Sequence, residues 1–232
     1  MSAAATGEFR LDLLRAERIG LDEAIFCAGK SAAQIGAILE SVMALDRPLL
    51  LTRLDAPKFE ALSVRQRAAL DYDPVSRSAI LGSPRPIRAG EPVAVVMAGT
   101  SDVPPAREAS RTLAFNGQPS AEFADIGVAG LWRLLERLDE IRRAPVVIVA
   151  AGMDAALISV VGGLVAAPVI GLPTSVGYGV AAGGMSALNA ALASCAPGVP
   201  VVNIDNGYGA ACAALRIANG SARAGSDPRA AR

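Results

Sequence analysis

The sequence predicts an α/β protein built on a doubly wound, five-stranded parallel sheet in three αβα layers, preceded by a mainly helical N-terminal segment. Three observations predict it. Five short apolar runs alternate with helix-forming stretches between residues 92 and 219. The strongest of these runs are continuously hydrophobic instead of alternating, as strands covered by helices on both faces are. Charge also nearly vanishes there: from Ala144 to Leu215 the only acidic or basic side chains are Asp154 and Asp205.

Residues 1–90 carry charged helical patterns, LDLLRAERIGLDEAIF and SAAQIGAILESVMAL, and end in the Pro- and Gly-rich stretch GSPRPIRAGEP (82–92), which marks a domain boundary. The α/β domain is expected over 91–219. Its first strand, PVAVVM (92–97), enters the turn AGTSD, where Ser101 and Asp102 suit the N-cap of a helix with Pro104 and Pro105 in its first turn. That helix, 103–116, stops at Asn116-Gly117. Strand SAEFAD (120–125) leads to a helix in which Leu131, Leu134, Leu135, Leu138 and Ile141 fall at helical spacing. Strands PVVIVA (145–150) and PVIGLP (168–173) follow, with a helix near 154–164 between them. The run Val146–Ile170 is long enough to span a bilayer, but Asp154, Gly162-Gly163 and Pro168 interrupt it. A small-residue helix near 184–194, strand PVVNI (200–204) and a helix beyond Gly207 close the domain. The tail, 220–232, is polar and small and is expected to be disordered.

Composition excludes several chemistries. Lys and Arg together number 22, as do Asp and Glu, so net charge is zero and the basic footprint of a nucleic-acid partner is missing. The chain has no His, which removes His-based nucleophile activation, acid/base catalysis and metal ligation. Three Cys without CxxC spacing argue against a disulfide framework or thiolate metal site. No apolar h-region opens the chain, so the cytoplasm is the expected location, with no membrane partner.

In open parallel sheets, ligands bind beyond the carboxyl ends of the strands. The loops there are AGTSD (98–102), ADIGV (124–128), AGMD (151–154), PTSVGYG (173–179) and NIDNGYG (203–209). Gly99 permits close backbone approach, and the following helix start offers free N–H groups to an anion; capping by Ser101 and Asp102 is the equal alternative. Asp154 stands alone in the uncharged stretch, where a carboxylate is costly unless bonded or used. At Asp205, function and Asx-turn formation stand level. Cys27 and Cys212 fit small buried hydrophobes. Cys195 follows a helix end just before APG, and on spacing alone a small buried hydrophobe outweighs a nucleophile there.

Taken in order, VAVVMAGTSD, DIGVAGLWRLLERL, VVIVAAGMDAALISVVGGL, PVIGLPTSVGYG and SCAPGVPVVNIDNGYGA resemble the LarB family of nickel-pincer-nucleotide biosynthesis, a relative of the phosphoribosylaminoimidazole carboxylases. Upstream, Asp12, Arg15, Arg18, Gly20, Glu23, Gly29, Lys30 and Gln34 keep the family's spacing. The resemblance implies a PurE/flavodoxin-like sheet and a two-part reaction. CO2 is added at C5 of the pyridinium ring of nicotinic acid adenine dinucleotide, and the phosphoanhydride is hydrolysed to AMP, leaving pyridinium-3,5-biscarboxylic acid mononucleotide. It implies Cys195 as the catalytic thiolate and Asp154, where the family has Glu, as the carboxylate that removes the C5 proton, with Asp102 the third catalytic candidate. The expected binding residues are Gly99, Thr100, Ser101, Asp125, Gly152, Met153, Thr174, Ser175, Gly177, Tyr178, Gly179, Asp205 and Asn206. No tightly bound cofactor is implied; Mg2+ is left open as an assistant to hydrolysis. Leu13 and Leu14 replace a family His pair. The alternatives are a divergent paralogue on another nucleotide, such as an aminoimidazole ribonucleotide carboxylase or mutase, and a catalytically silent nucleotide-binding regulator.

A homo-oligomer is expected on two grounds. The helices near 154–164, 184–194 and 207–215 carry almost no charge for a solvent face. Cys195, between a helix and the next strand, belongs to the amino edge of its own sheet, away from Ser101, Asp102 and Asp154. A shared site in a symmetric assembly answers both points, and the resemblance implies an octamer.

Overall fold

The computed structural model describes residues 9–225, which fall into two compact units: one up to Pro86 together with Phe115–Gly117, the other Ile87–Ala114 and from Gln118 onward. The expected tail is helical as far as Gly225; residues 226–232 and the first eight lie outside the described part.

The first unit corrects the expectation of a mainly helical segment. After α1 (Arg15–Ile19), β1 (Ala24–Phe26), α2 (Ala32–Met43), β2 (Leu49–Thr52), α3 (Ala56–Glu60), α4 (Val64–Ala68), β3 (Leu70–Asp73) and β4 (Ser78–Leu81) build a four-stranded mixed sheet in the order β1-β2-β4-β3. β1 pairs parallel with β2, and β4 runs antiparallel to both of its neighbours. Every residue of β2 and β4 is buried. A strand of four residues buried on both faces shows no alternation, so nothing in its pattern separates it from a helix turn. The helical pattern of LDLLRAERIGLDEAIF likewise dissolves: α1 ends after five residues at Gly20, which takes a left-handed conformation (φ 76°) that suits glycine. α2 forms as expected. Ser31 accepts the Gln34 N–H while the Gln34 side chain accepts the Ser31 N–H, a reciprocal cap. Its face Ile35, Ile38, Leu39, Val42 joins Ile25, Leu49, Leu51, Leu70 and Leu81 in one core.

The second unit follows the βα rhythm. β5 (Val93–Met97), α5 (Val103–Phe115), β6 (Ser120–Phe123), α6 (Leu131–Ile141), β7 (Val147–Ala151), α7 (Ala156–Gly162), β8 (Val169–Pro173), α8 (Met185–Leu192) and α9 (Gly207–Gly225) give a parallel sheet in the order β6-β5-β7-β8. All residues of β5, β7 and β8 are buried, the signature of two-sided cover. α6, α7 and α8 pack one core with Val96, Val147, Val149 and Val169. Leu134 and Ile141 are fully buried in it and contribute about 1.5–3 kcal/mol each. α9 lies against β7 and β8, and its first glycine, Gly207, sits so close to α5 that a Cβ would fall 2.0 Å from the Pro105 carbonyl oxygen.

The sheet has four strands, not five. The segment PVVNI runs beside β8 but meets it at a single bridge, Gly171 with Val201. The Gly171 N–H donates to the Pro200 carbonyl (2.9 Å) and the Val202 N–H to the Gly171 carbonyl (3.0 Å). The ladder then stops because the Ile204 N–H is taken by the Asn203 side chain (2.9 Å) and the chain turns at Asp205. Among the described residues no helix is long and apolar enough to cross a membrane; the apolar run Val146–Ile170 is spent on β7, α7 and the start of β8.

Candidate active site

The turns at the carboxyl ends of β5, β7 and β8 converge on one buried carboxylate. Asp102, 3% exposed, accepts the Gly99 N–H at 2.8 Å on one oxygen and the Thr174 hydroxyl at 2.6 Å on the other. The Gly152 N–H also reaches it. Gly152 cannot carry a side chain, since a Cβ would lie 2.3 Å from the Val176 carbonyl oxygen and 2.8 Å from the Thr174 hydroxyl. The capping reading of AGTSD is realised in part: Ser101 is exposed, while Asp102 reaches back to the Gly99 N–H that opens the short turn Thr100–Asp102 and also across to β8.

Burial pushes the Asp102 carboxyl above the ordinary carboxylate range; the bonds from Thr174, Gly99 and Gly152 partly offset this, and the charge of Asp205 adds to it. Between the unfolded value and the raised native one, the folded protein holds a proton there that the unfolded chain has released. Its contribution is complete below the unfolded value of about 3.9 and is lost as pH rises through the raised native value. Asp102→Asn keeps an oxygen acceptor and cannot ionise. Its melting temperature, taken relative to wild type, is expected to climb as pH rises from about 4 and then level off; a difference independent of pH would refute this account.

Backbone strain gathers at the same edge. Asp125 (φ 57°), Met153 (φ 55°), Ala155 (φ 49°) and Asp205 (φ 55°) are left-handed without being glycine, at a cost of about 1–2 kcal/mol each. Strain of this kind concentrates where a loop is held for a purpose. Asp205 accepts the Ser175 N–H (2.8 Å) and donates its own N–H to the Pro173 carbonyl (2.9 Å), so turn-making is realised and ties NIDNG to PTSVG. Asn206 caps α9 through the Gly209 N–H (2.8 Å). Asp154 is exposed, and its side chain accepts the Ala156 N–H at 3.3 Å at the start of α7. The cost expected of a lone carboxylate in this uncharged stretch is therefore small, because water meets its charge and one backbone N–H bonds it.

Thr100, Met153, Ser175, Tyr178 and Gly179 are exposed around the buried hub; Tyr178 is 78% exposed. Gly177 is packed under the Ala181 carbonyl, where a Cβ would stand 2.4 Å away. Asp125, exposed at the end of β6, is not joined to Asp102; it pairs with Arg133. Sequence reasoning missed Arg133, whose guanidinium lies over Gly130 where any Cβ would meet it. The available signal was a cation in the first turn of the helix that follows the ADIGV loop. It also missed Glu108, buried in α5, which accepts the Tyr208 N–H (3.2 Å) and anchors the start of α9.

Of the three thiols, Cys27 is buried and pushed up to about 12, chiefly by loss of water, while Cys212 is half-buried in α9. Cys195 is exposed. The structure does not bring it to Asp102. Ala196, its neighbour, packs against Gly162 at the end of α7, where an added Cβ would be 2.9 Å from the Ala196 Cβ. α7 returns from the carboxyl end of β7 toward the start of β8, so the Cys195 loop sits at the amino edge of the sheet. Among the described residues no group of three or more Cys, Asp or Glu is placed to hold a metal ion.

Comparison with known proteins bears on both units. Residues 3–83 match the model of the LarB/PurE-like N-terminal domain, and residues 92–226 match that of AIR carboxylase. The chain is 34% identical over 216 residues to the protein MJ0165 of Methanocaldococcus jannaschii, described as uncharacterized, covering 90% of this chain and 83% of that one.

Proposed function

We propose, since the chain belongs to the LarB family and is related through it to the PurE-like carboxylases, that it carboxylates and hydrolyses nicotinic acid adenine dinucleotide. The products are pyridinium-3,5-biscarboxylic acid mononucleotide and AMP, the opening of nickel-pincer-nucleotide synthesis. The observation that carries this is the exposed Cys195 thiol in a carboxylase-family chain without a single His. A carboxylase on an electron-poor ring needs a nucleophile to make a carbanion equivalent, and Cys195 supplies one.

The Cys195 thiolate adds to C4 of the pyridinium, and the electron pair moves onto the ring nitrogen. C5 of the resulting enamine attacks CO2. Asp154 takes the C5 proton, the ring regains aromaticity, and the C4–S bond breaks to return the thiolate. No net oxidation occurs. Water then cleaves the phosphoanhydride. Gly99, Thr100, Ser101, Gly152, Met153, Thr174, Ser175, Gly177, Tyr178 and Gly179 line the nucleotide's place, with Asp102 beneath it and Arg133 the cation nearest the Asp125 side.

The site belongs to a homo-oligomer, with Cys195 delivered by a neighbouring copy. Asp154 precedes α7, and the residues on either side of Cys195 are held further along that helix, at Ser159 and Gly162. Exposed apolar side chains offer the contact: Trp132 is 62% exposed on α6, Val180 is 96% exposed before α8, and Leu192 is 66% exposed at its end.

Incubation with the dinucleotide and 13C-bicarbonate is expected to yield the labelled dicarboxylate and AMP by mass spectrometry. Neither product forming would overturn the proposal. The AIR carboxylase match supports a second substrate, aminoimidazole ribonucleotide, which the same assay tests in parallel. A silent nucleotide-binding regulator would bind the dinucleotide and leave it unchanged.

A further inference from the structure

Cys195 is exposed between two half-buried neighbours, Ser194 and Ala196, and the chain immediately before and after it is fixed. Ser194 Oγ and Ser159 Oγ, the latter in the middle of α7, are hydrogen-bonded at 2.7 Å. Ser194 Oγ also accepts the Ala196 N–H at 3.2 Å, closing a turn around Cys195. One turn further along α7, Gly162 receives the far side of the loop: a Cβ there would be 2.9 Å from the Ala196 Cβ and 3.1 Å from Val199 Cγ2. Ser159 and Gly162, three residues apart, share one face of the helix. That face grips the loop by a polar contact and a close apolar one. The Cys195 side chain is left free to solvent.

The geometry points to Ser159 and Ser194 as positioning residues for the Cys195 thiol, with α7 as a strut that carries Asp154 at its entrance and the thiol's anchor on its flank. The inference rests on Cys195 being the nucleophile of the proposed reaction. An exposed loop that wandered would pay for each attack by first ordering itself, and a displacement near 1 Å at a reacting group can cost about 100-fold. The clasp removes that step. It also gives a reason for hydroxyls inside the otherwise apolar pairing of α7 with the end of α8, where Ser159 and Ser194 each supply the other's partner.

Ser159→Ala and Ser194→Ala are each expected to lower kcat for carboxylation about tenfold with KM for the dinucleotide unchanged. The double variant is expected to be no worse than Ser194→Ala alone, which already removes both the Ser159 contact and the turn to the Ala196 N–H. Ser194→Thr, which keeps the hydroxyl, is expected to retain most of the turnover. Iodoacetamide should alkylate Cys195 at the wild-type rate in all of them, since the thiol remains chemically competent. Gly162→Ala, which presses on the loop from the other side, should reproduce the kcat loss. Wild-type kcat in the Ala variants would overturn the inference. So would losses that multiply in the double variant, or a kcat loss matched by slower alkylation. If Cys195→Ala itself turns over normally, the reading of the reaction fails instead; a dead Cys195→Ala beside fully active Ser159→Ala sinks the positioning role alone.

Discussion

Cys195→Ala is expected to lower carboxylation at least about 1,000-fold while the dinucleotide still binds. The thiolate is asked only to make C5 nucleophilic, so it adds nothing to ground-state affinity. The side chain is exposed, and its removal opens no cavity in the core. Kinetics and equilibrium binding measured on the same preparation check this, and near-wild-type turnover would end the case for covalent catalysis. Mixing Cys195→Ala subunits with Asp154→Asn subunits tests the shared site. An intact thiol from one copy facing an intact carboxylate in the other should restore part of the activity. If the assembly is oligomeric and no activity returns, Cys195 serves its own subunit. A monomer by light scattering at micromolar concentration would remove the shared site altogether.

Asp154→Asn should cost about 100- to 10,000-fold in kcat, the usual worth of a positioned general base, and the fold should not notice. The amide oxygen of Asn can still accept the Ala156 N–H that Asp154 now accepts, so the start of α7 keeps its partner. Asp154→Glu is expected to match or exceed wild type, because the resembling family carries Glu at this position. Equal turnover by Asn and Asp would show that the carboxylate is a local turn-maker and nothing more. The separation of these outcomes depends on Asp154 being exposed, since a buried carboxylate would confound loss of the base with loss of stability.

The α/β unit was legible because its strands are long and apolar enough to be seen as units. VAVVM, VIVAA and VIGLP are five-residue runs, each fully buried, and no other element type fits them between turn residues. α6 was legible for the opposite reason: Leu134, Leu138 and Ile141 recur at helical spacing among charges. The strands of the first unit were not. LLLT and SAIL are four residues each and buried on both faces, so they carry neither alternation nor length, and their identity comes from pairing with segments some 20–30 residues away. The fifth strand of the second sheet failed because a side chain competed for its backbone: Asn203 takes the Ile204 N–H that the ladder with β8 would have used. No propensity scale contains that competition.

By itself, the sequence determined which loops lie at the sheet's carboxyl edge, that His chemistry is absent, and that Asp154, Asp205 and Cys195 stand out in the charge-poor stretch Ala144–Leu215. It did so because composition, spacing and continuous burial are local properties that survive without coordinates. Only the tertiary structure decided what those residues meet. Asp102 is a buried hub for three loops because Thr174, 72 residues away, reaches it; Asp154 is in water; Ser194, the neighbour of Cys195, is held by Ser159, 35 positions before it. Charge state and reach depend on the dielectric and the partners around a group, and those are set by packing between distant segments, which no single stretch of sequence contains.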